Sequence, residues 1–275
     1  MNRWVFVTLL ATFSEAHAYP LLIGAFNVQI FGQSKMNKPD VVNILIKMVL
    51  RYDILMIQEI RDSTQTALPE LVDKVNQLSW IRYNFVVSKR SGRTSSKEQY
   101  GYIYRSSRIR VINEYQYPDT DNDVFEREPY SVQFERIDGQ GYQTKFNYIA
   151  IHTKPDDAVA EIDALDDVYD DVAAKYGEDA LIGGDFNADC NYVCKTCWQQ
   201  IDMWTDPRFT WLIGSDVDTT VSSTDCAYDR LVVAGFSMTY YSSLGSVFRF
   251  DLAYGLNSYE TKAVSDHYPV EFYLY

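Results

Sequence analysis

Two of the chain's histidines are the side chains best suited to acid–base chemistry. The 275-residue chain has three histidines, of which His152 and His267 each end a hydrophobic, strand-like segment, His267 directly after Asp266. An imidazole titrates near neutral pH, so it can donate or accept a proton there. The pair predicts a hydrolase with one general acid and one general base, and the alternative is a structural role for both.

Polar side chains recur where the predicted strands end. They are Asn27, Glu59, His152, Asp185 with Asn187, Asp229, and Asp266 with His267. Such side chains can converge on one cleft at the edge of a rigid sheet. Turns also favour Asp and Asn, but this many strands ending alike are difficult to attribute to turns alone.

The types of these residues suit hydrolysis of a phosphodiester. That reaction needs a divalent cation, a base for water, an acid for the leaving oxygen and neutral donors for the phosphate. Hard cations prefer oxygen ligands, for which Glu59, Asp185 and Asp266 are the candidates. Asn27 and Asn187 can donate to a phosphate without adding negative charge. Each histidine also requires a carboxylate partner that fixes its tautomer.

Short apolar segments and amphipathic segments must position these residues. The predicted strands are Leu21–Ile30, Ile54–Ile57, Tyr83–Val87, Tyr100–Tyr104, Ile109–Tyr115, Tyr130–Phe134, Phe146–His152, Ala180–Asp185, Tyr228–Ala234 and Val264–Tyr275. The predicted helices are Pro39–Arg51, a segment from Ser63 as N-cap to about Leu78, and Ala158–Tyr176. Strands outnumber helices and several follow one another directly, which favours a sandwich of two sheets with helices packed outside.

The acidic composition argues against a simple nucleic-acid-binding protein. The formal net charge is −13, whereas phosphate contacts favour a basic surface. An enzyme that binds divalent cations through carboxylates is not excluded, because each bound ion reverses the local field.

The first eighteen residues have the pattern of a secretory signal peptide. Arg3 is followed by the short apolar segment Trp4–Phe13 and by the small-x-small site Ala16–Ala18, with His17 at its centre. The apolar segment is too short to span a membrane. We therefore expect cleavage near Ala18 and a secreted protein without membrane association. Residues 19–275 contain no linker-like or repeated segment and are expected to form one domain.

The four cysteines of an exported chain are expected to form disulfides. Three pairings are open, and Cys190–Cys226 with Cys194–Cys197 is the favoured one. The alternative is a four-thiolate zinc site, because Cys194 and Cys197 have suitable local spacing. The oxidising compartment and the missing second C-x-x-C count against zinc.

Several sequence strings together resemble a known family. Ile57–Glu59, Gly183–Asp189, Cys226–Arg230 and Ser265–Val270 resemble the conserved blocks of the endonuclease/exonuclease/phosphatase superfamily. Further strings resemble the secreted deoxyribonuclease I family: Ala25–Asn27, Arg51–Ile54, Arg61–Ser63, Val86–Ser88, Tyr115–Tyr117, Arg127–Pro129 and Asp157–Ile162. The resemblance extends from about Leu22 to the C-terminus.

The resemblance implies a fold and an activity. The fold would be an α/β (α+β) four-layer sandwich, with two packed, mainly antiparallel β-sheets flanked by helices. The activity would be metal-dependent endonucleolytic hydrolysis of DNA, mainly double-stranded and with little sequence specificity, to 5′-phosphorylated products. The protein would act as a monomer.

The resemblance also implies roles for particular residues. His267 would be the general base, oriented by Asp229, and His152 the general acid, paired with Glu98. The implied ligands of catalytic Mg²⁺ or Mn²⁺ are Glu59, Asp185 and Asp266. The implied contacts to phosphate and DNA are Asn27, Arg61, Arg127 and Asn187. The implied ligands of structural Ca²⁺ are Asp218, Thr220, Ser222 and Thr224 at one site, and Asp119, Asp123, Phe125 (through its carbonyl) and Glu128 at a second, in a shorter loop without the family's local disulfide.

Some positions depart from the family's pattern. Ser96 stands where the family has a tyrosine that contacts the DNA minor groove, and Gln29 replaces a basic DNA contact. We expect these changes to weaken DNA affinity without removing the hydrolytic site. The stretch Phe85–Val87 matches the actin-binding surface of vertebrate members, but Lys89 and Tyr130 differ there, which argues against actin inhibition.

Two other functions fit parts of the pattern. One is a phosphodiesterase of the same fold that acts on RNA or another phosphodiester. The other is a catalytically weak homologue that binds DNA or actin. The second would be expected to lack a histidine or a metal carboxylate, and neither is missing.

Overall fold

The computed structural model describes residues 19–120, 122–139 and 144–275. The predicted signal peptide, residues 1–18, lies outside the described residues. Within the described residues the chain forms two six-stranded sheets. No described helix is long and apolar enough to cross a bilayer.

The first sheet contains the N-terminal and C-terminal strands of the described chain. Its order is β11-β12-β1-β2-β4-β3. The strands are β1 Leu21–Phe31, β2 Ile54–Ile60, β3 Tyr83–Val87, β4 Gly101–Arg105, β11 Ser246–Val247 and β12 Val270–Leu274. Only β1 and β2 are parallel; the other neighbours in this sheet are antiparallel.

The second sheet contains the middle of the chain. Its order is β5-β6-β7-β8-β10-β9. The strands are β5 Ile109–Gln116, β6 Tyr130–Arg136, β7 Lys145–His152, β8 Ala180–Asp185, β9 Thr210–Trp211 and β10 Asp229–Ala234. Here only β7 and β8 are parallel.

Helices cover the outer faces of both sheets. They are α1 Gln33–Met36, α2 Pro39–Arg51, α3 Ala67–Leu78, α4 Ala158–Asp163, α5 Leu165–Tyr176, α6 Asp202–Thr205, α7 Phe236–Tyr241, α8 Phe250–Tyr254 and α9 Ser258–Val264. Apolar residues of β1 alternate between two cores: Leu21 and Ile23 face the second sheet, whereas Leu22 and Phe26 face the helices. This two-residue period explains why the central strand is apolar throughout. The predicted four-layer, mainly antiparallel sandwich is confirmed.

Buried tyrosines join the two sheets behind the cleft. Tyr102 donates its hydroxyl to the carbonyl oxygens of Tyr148 and Tyr130 at 2.7 and 3.0 Å, and Tyr148 donates to the carbonyl of Gly24 at 3.2 Å. These carbonyl oxygens give both hydroxyls a hydrogen-bond partner inside an apolar core, as buried tyrosines usually require. The sheets are thereby held at a fixed separation beneath the residues at their ends.

Three details of the predicted elements are wrong. The helix predicted over Ala158–Tyr176 is two helices that meet at Ala164, although it does end at Gly177, whose φ is +101°. Ser63 does not cap α3; the carboxylate of Asp62 accepts the N–H groups of Thr66 and Ala67 instead. A carboxylate that gathers several N–H groups is a stronger acceptor for an orphan helix end than a single hydroxyl.

The third error is at the C-terminus. The predicted strand Val264–Tyr275 is the end of α9, an irregular turn and the shorter strand β12. The turn frees Asp266 and His267 from the sheet ladder, so that their side chains can face the cleft.

The structure contains both favoured disulfides, Cys190–Cys226 and Cys194–Cys197. The first joins the loop that follows β8 to the loop that precedes β10. In the chain-entropy model, closing a loop of this length stabilises the folded state by about 3–4 kcal/mol, because it restricts the unfolded chain. No cysteine is left free for a zinc site among the described residues.

Candidate active site

The candidate site lies where strand ends of both sheets meet. In the second sheet, Asp185 at the end of β8 is paired in register with His152 of β7 and with Asp229 of β10. In the first sheet, Asn27 of β1 is paired with Gln58 of β2. Parallel pairs bring their carboxyl ends to the same edge, which is where such sheets bind ligands.

Gln58 connects the two sheets at this edge. Its side chain is fully buried, donates to the carbonyl of Ile151 at 2.6 Å and accepts the N–H of Asp185 at 2.9 Å. It thereby fixes the backbone directly before His152 and that of Asp185. A role for Gln58 was not predicted from the sequence, although a polar residue beside Glu59 in an otherwise apolar strand is a signal for such a role.

One carboxylate oxygen of Asp185 is the centre of the site. Its Oδ2 lies 3.1 Å from the Asn27 amide nitrogen, 3.5 Å from Nε2 of His152 and 3.6 Å from Nε2 of His267. The two imidazoles therefore face the same point from opposite strands. A phosphate at this point would be within reach of both.

His152 is held from behind by Glu98. The His152 Nδ1 lies 2.8 Å from Glu98 Oε2, and the backbone N–H of His152 donates to the Tyr100 hydroxyl at 2.9 Å. Burial raises the pKa of Glu98, but the bond to His152 and the charges of His152, Arg127 and Arg61 outweigh it and lower the pKa to about 2. The carboxylate is therefore charged at neutral pH and fixes the orientation of the ring.

Two arginines bracket Glu98. Arg61 donates to Glu98 Oε1 at 2.7 Å and lies 3.2 Å from Glu59, while Arg127 lies 2.9 Å from Glu98 Oε2 and donates to the carbonyl of His152 at 3.1 Å. Both were predicted as DNA or phosphate contacts. In this structure their guanidinium groups bind carboxylates at the edge of the cleft.

His267 forms the second histidine–carboxylate pair. Its Nδ1 lies 2.7 Å from Asp229 Oδ2, which also accepts the hydroxyl of Thr219 at 2.8 Å. Burial lowers the pKa of His267, but the charges of Asp229 and Asp185 outweigh it and raise the pKa to about 10. Thr219, which was not predicted from the sequence, helps to orient Asp229 through its hydrogen bond to Oδ2.

The predicted metal ligands lie around Asn27. The Asn27 amide donates to Asp185 and, at 3.2 Å, to Glu59, so these carboxylates share one neutral donor. Asp266 accepts from Gln29 at 2.7 Å through Oδ2, while its Oδ1 has no hydrogen-bond partner among the described residues and lies 3.8 Å from Nε2 of His267. A carboxylate oxygen without a hydrogen bond, close to further carboxylates, suits a hard divalent cation as a ligand.

A second cluster of possible metal ligands overlaps with this one. Asp185, Asp229 and His267 offer ligand atoms within 4.8 Å of one another. Because Asp229 and His267 are hydrogen-bonded to each other, they already have a partner. Of the three residues, only Asp185 belongs to the predicted metal set.

Asn187 is placed by strained backbone just after β8. Its φ is +48°, its N–H donates to Asp185 Oδ1 at 3.0 Å and its side-chain amide donates to the carbonyl of Thr153 at 3.0 Å. Gly184 precedes this turn at φ +142°, and a Cβ there would lie 2.1 Å from the carbonyl oxygen of Ile151. Only glycine permits such a close approach of the two strands.

In the first predicted Ca²⁺ loop, the side-chain oxygens of the predicted ligands lie close to one another. The Thr220 hydroxyl donates to Asp218 at 2.8 Å and lies 3.3 Å from that of Thr224, which also contacts the Ser222 hydroxyl. Cys226 lies two residues after Thr224, and Thr220 forms a β-bridge with His267. The loop therefore lies next to both a disulfide and a candidate catalytic residue.

The second predicted Ca²⁺ loop is only partly assembled. Asp119 accepts the N–H of Phe125 at 2.6 Å, but Asp123 pairs with Arg93 at 3.3 Å instead. Glu128 is held by its backbone carbonyl, which accepts from Gln116 at 2.6 Å. An arginine beside Asp123 already supplies the positive charge that a cation would provide.

Comparison with known proteins connects this geometry to a family. Residues 24–267 match the model of the Endonuclease/Exonuclease/phosphatase family. The chain is 44% identical to human Deoxyribonuclease-1, with 92% of each chain covered. It is 42% identical to human Deoxyribonuclease gamma, with all of this chain and 92% of that protein covered.

The chain belongs to the deoxyribonuclease I branch of the endonuclease/exonuclease/phosphatase family. A solved family structure from Bacteroides vulgatus has a TM-score of 0.64 over 94% of this chain and 99% of that one, at 14% identity. At that identity the likeness concerns the fold alone.

Two departures from the deoxyribonuclease I pattern have a structural context. Gln29 is not directed to solvent but bonds Asp266, a predicted metal ligand. Tyr130 is buried, with only 3% of its surface exposed, so it does not alter a partner-binding surface. Tyr130 therefore gives no reason to expect weaker actin binding, and the expectation that actin does not inhibit the protein stays a prediction that rests on Lys89.

Proposed function

We propose that this chain is a divalent-metal-dependent endonuclease that hydrolyses DNA, mainly double-stranded and with little sequence specificity, to 5′-phosphorylated products. The observation that carries the proposal is the pair of imidazoles that meet at Asp185 Oδ2, each with its own buried carboxylate behind it. Relatives named deoxyribonucleases over more than nine-tenths of the chain support DNA as the substrate.

The metal would be held by Glu59, Asp185 and Asp266. Their oxygens suit Mg²⁺ or Mn²⁺, and the Oδ1 of Asp266, which accepts no hydrogen bond from the described residues, can serve as a ligand atom. When bound, the ion supplies positive charge that stabilises the developing negative charge on the phosphate. We assign Asp229 and His267 to proton transfer, because their mutual hydrogen bond occupies both groups.

His267 would act as the general base. Its Nδ1–H donates to Asp229, so the neutral ring would present its lone pair on Nε2, which faces the cleft. A cation bound at Asp185 and Asp266 would oppose the carboxylate charges that raise the pKa of His267 to about 10, and so would favour the neutral ring. A water there loses its proton to Nε2 while its oxygen forms a bond to phosphorus. Asp229 stabilises the resulting imidazolium, as the carboxylate of a catalytic triad does.

His152 would act as the general acid. With Nδ1 held by Glu98, its protonated Nε2 faces the other side of the phosphate. The bond from phosphorus to the 3′ oxygen breaks, and that oxygen takes the proton from Nε2. The products are a 3′-hydroxyl and a 5′-phosphate.

Other side chains would hold the substrate. Asn27 and Asn187 would donate to the scissile phosphate as neutral groups, and Arg127 would contact it from the side of Glu98. Arg61, whose side chain is 30% exposed, would reach the DNA beyond the scissile bond. We also propose structural Ca²⁺ at Asp218, Thr220, Ser222 and Thr224. We further propose a second site at Asp119, Asp123, Phe125 and Glu128, where Ca²⁺ would displace the contact of Asp123 with Arg93.

We further propose export of a monomeric protein after cleavage near Ala18, with residues 19–275 as a single nuclease domain. The signal-peptide pattern of residues 1–18 and the two disulfides support export. The shared core between the sheets supports a single domain.

Nicking of a supercoiled plasmid in Mg²⁺ and Ca²⁺ tests the function. We expect nicking by the unaltered protein, loss in EDTA, and a fall on the order of 10²- to 10⁴-fold for His267→Ala. The new 5′ ends should accept label from a kinase only after phosphatase treatment. Cleavage of RNA but not DNA would favour the other phosphodiesterase, and DNA binding without cleavage would favour the inactive homologue.

A further inference from the structure

A three-residue bulge in β1 shapes the metal side of the cleft. In the pairing of β1 with β2, Asn27 faces Gln58 and Phe31 faces Ile60, so three residues of β1 lie opposite Glu59 alone. Bulges of this kind re-aim side chains and are frequent beside active sites. This one begins directly after Asn27 and separates it from Phe31 at the end of the strand.

The backbone of the bulge is in an unfavourable conformation. Gln29, Ile30 and the facing Glu59 have φ values of +47°, +53° and +57°. For a β-branched residue such as Ile30 this region is strongly disfavoured and persists only when surrounding contacts enforce it. Glu59 supplies one such contact by accepting the N–H of Ile30 at 2.9 Å.

Lys35 supplies the others. Its Nζ lies 2.6 Å from each of three backbone carbonyl oxygens, those of Val28, Gln29 and Val264. The residue is 7% exposed, and among the described residues it forms no ion pair with a carboxylate. An ammonium has three N–H donors, so this cage satisfies it completely. A buried charge is retained in a fold only when it is satisfied in this way.

The three carbonyls belong to the two segments that carry the candidate catalytic groups. Val28 and Gln29 follow Asn27, whose side-chain oxygen accepts the N–H of Gln29 at 2.9 Å. Val264 precedes Ser265, whose hydroxyl donates to the Asn27 carbonyl at 2.6 Å and accepts the N–H of His267 at 3.1 Å.

We propose that Lys35 is a positioning residue: its ammonium clamps the β1 bulge to the turn that carries Asp266 and His267, and so sets the distance between Asn27 and His267. The inference rests on the proposed nuclease function. It assigns to Lys35 no contact with substrate. The Lys35 ammonium lies between the two segments and donates hydrogen bonds to the carbonyl oxygens of both.

Lys35→Met tests the clamp, because methionine keeps the apolar stem and removes the donors. The matched control is Lys38→Met, since Lys38 is exposed and lies three residues along the chain. For Lys35→Met we expect kcat for plasmid nicking to fall on the order of 10²-fold, as for a small misplacement of catalytic groups, with KM changed less than about twofold. Lys38→Met should stay within about twofold of the unaltered protein in both constants.

A second measurement does not depend on activity. In protein freed of metal with EDTA, hydrogen exchange of Lys35→Met should accelerate in peptides that cover residues 27–31 and 264–267, and not in those that cover β7 and β8. If Lys35→Met does not fold, Lys35→Gln, which keeps one donor group, takes its place in both measurements.

Chemical rescue separates positioning from general stability. In Lys35→Ala, ethylammonium should restore part of kcat, whereas tetramethylammonium, which has no N–H donor, should not. Unchanged kcat, or a loss accompanied by uniform exchange and no rescue, would overturn the clamp. If the unaltered protein cuts no DNA, the proposed function fails, while the exchange pattern still decides the clamp.

Discussion

His152 and His267 direct their Nε2 atoms at the same oxygen of Asp185, from 3.5 and 3.6 Å. Their Nδ1 atoms face away from each other, towards Glu98 and Asp229. Each imidazole is therefore fixed by its own carboxylate, and both reactive nitrogens are available to one group in the cleft. In the proposed mechanism, one of these pairs donates a proton and the other accepts one.

Removing either histidine should remove most of the activity. We expect His152→Ala and His267→Ala each to lower kcat by about 10²- to 10⁴-fold, because residues 19–275 contain no third histidine that could substitute. The kcat of the double variant should be only slightly lower than that of the less active single variant, since the two histidines act in one step. Single-turnover cleavage of a defined duplex measures this. Losses that multiply in full would contradict a concerted pair.

Loss of the Glu98 charge should affect both stability and rate. Glu98 is 2% exposed and lies between Arg61, Arg127 and His152. Breaking such a buried network costs about 3 kcal/mol or more, so Glu98→Gln should lower the free energy of unfolding by roughly that amount. Since the folded pKa of Glu98 is lowered to about 2, its contribution is present above the unfolded value and lost as pH falls through 2.

The control is Glu135→Gln. Glu135 pairs with Arg110 and Lys145 at an open part of the second sheet, where ion pairs contribute about 1 kcal/mol or less. Urea unfolding at pH 7 and nicking rates compare the two variants. Equal effects of both substitutions would show that the environment of Glu98 has no special role.

Glu161 should make stability depend on pH near neutrality. Its Oε1 accepts the N–H groups of Glu126 and Lys154 at 3.1 and 3.2 Å, while Oε2 is buried without a partner among the described residues. Burial raises the pKa of Glu161 to about 7, although the two backbone bonds and the charges of Arg127 and His152 oppose the rise. The folded state therefore binds this proton more tightly than the unfolded state.

The sign of the effect follows from proton linkage. Between the unfolded value near 4.5 and about pH 7, stability falls by about 1.4 kcal/mol per pH unit from this group, because the proton must leave a buried site. The side chain in Glu161→Gln cannot ionise. Between pH 5 and pH 8 the free energy of unfolding of this variant should therefore rise by about 2–3 kcal/mol relative to that of the unaltered protein. Urea unfolding in EDTA at both pH values measures the difference. Parallel pH profiles for the two proteins would refute it.

Calcium should stabilise the fold through the Asp218 loop. A ligand that binds only the folded state adds about 2.7 kcal/mol at a hundredfold excess over its Kd. We expect Ca²⁺ to raise Tm, and Asp218→Asn to abolish most of that rise, because Asp218 is the only carboxylate of the proposed ligand set at this site. Asp216→Asn, an exposed position in the same loop, is the control and should keep the rise. An equal Ca²⁺ response in both variants would place the ion elsewhere.

The sequence predicted most strands because their apolar runs are long and their ends are polar. Ala180–Asp185 and Tyr83–Val87 have the bounds that the pattern indicates. Helix α9 was missed, although its capping box of Asn257 and Glu260 is visible in the sequence. The break at Ala164 has no such local signal, since alanine favours a continuous helix.

The carboxylates of the candidate site could be proposed from the sequence, but the residues that support them could not. Glu98 lies in a polar loop, and only the resemblance to a family connected it with His152. Gln58 and Lys35 act by reaching backbone carbonyls far along the chain, such as those of Ile151 and Val264. Contacts of this kind depend on register and on bulges, which residue types alone do not determine.

Restoring an aromatic ring at position 96 should improve cutting of duplex DNA. Ser96 is exposed in the loop before β4, two residues before Glu98, where a ring could pack against the minor groove. We expect Ser96→Tyr to raise kcat/KM on duplex DNA by about fivefold or more, since one stacking contact contributes about 1–3 kcal/mol and 1 kcal/mol corresponds to about fivefold. Ser107→Tyr, at an exposed position beyond the other end of β4, is the control and should change nothing. Parallel assays on one plasmid compare the variants, and an unchanged or lower rate for Ser96→Tyr would contradict the assignment of position 96 to DNA contact.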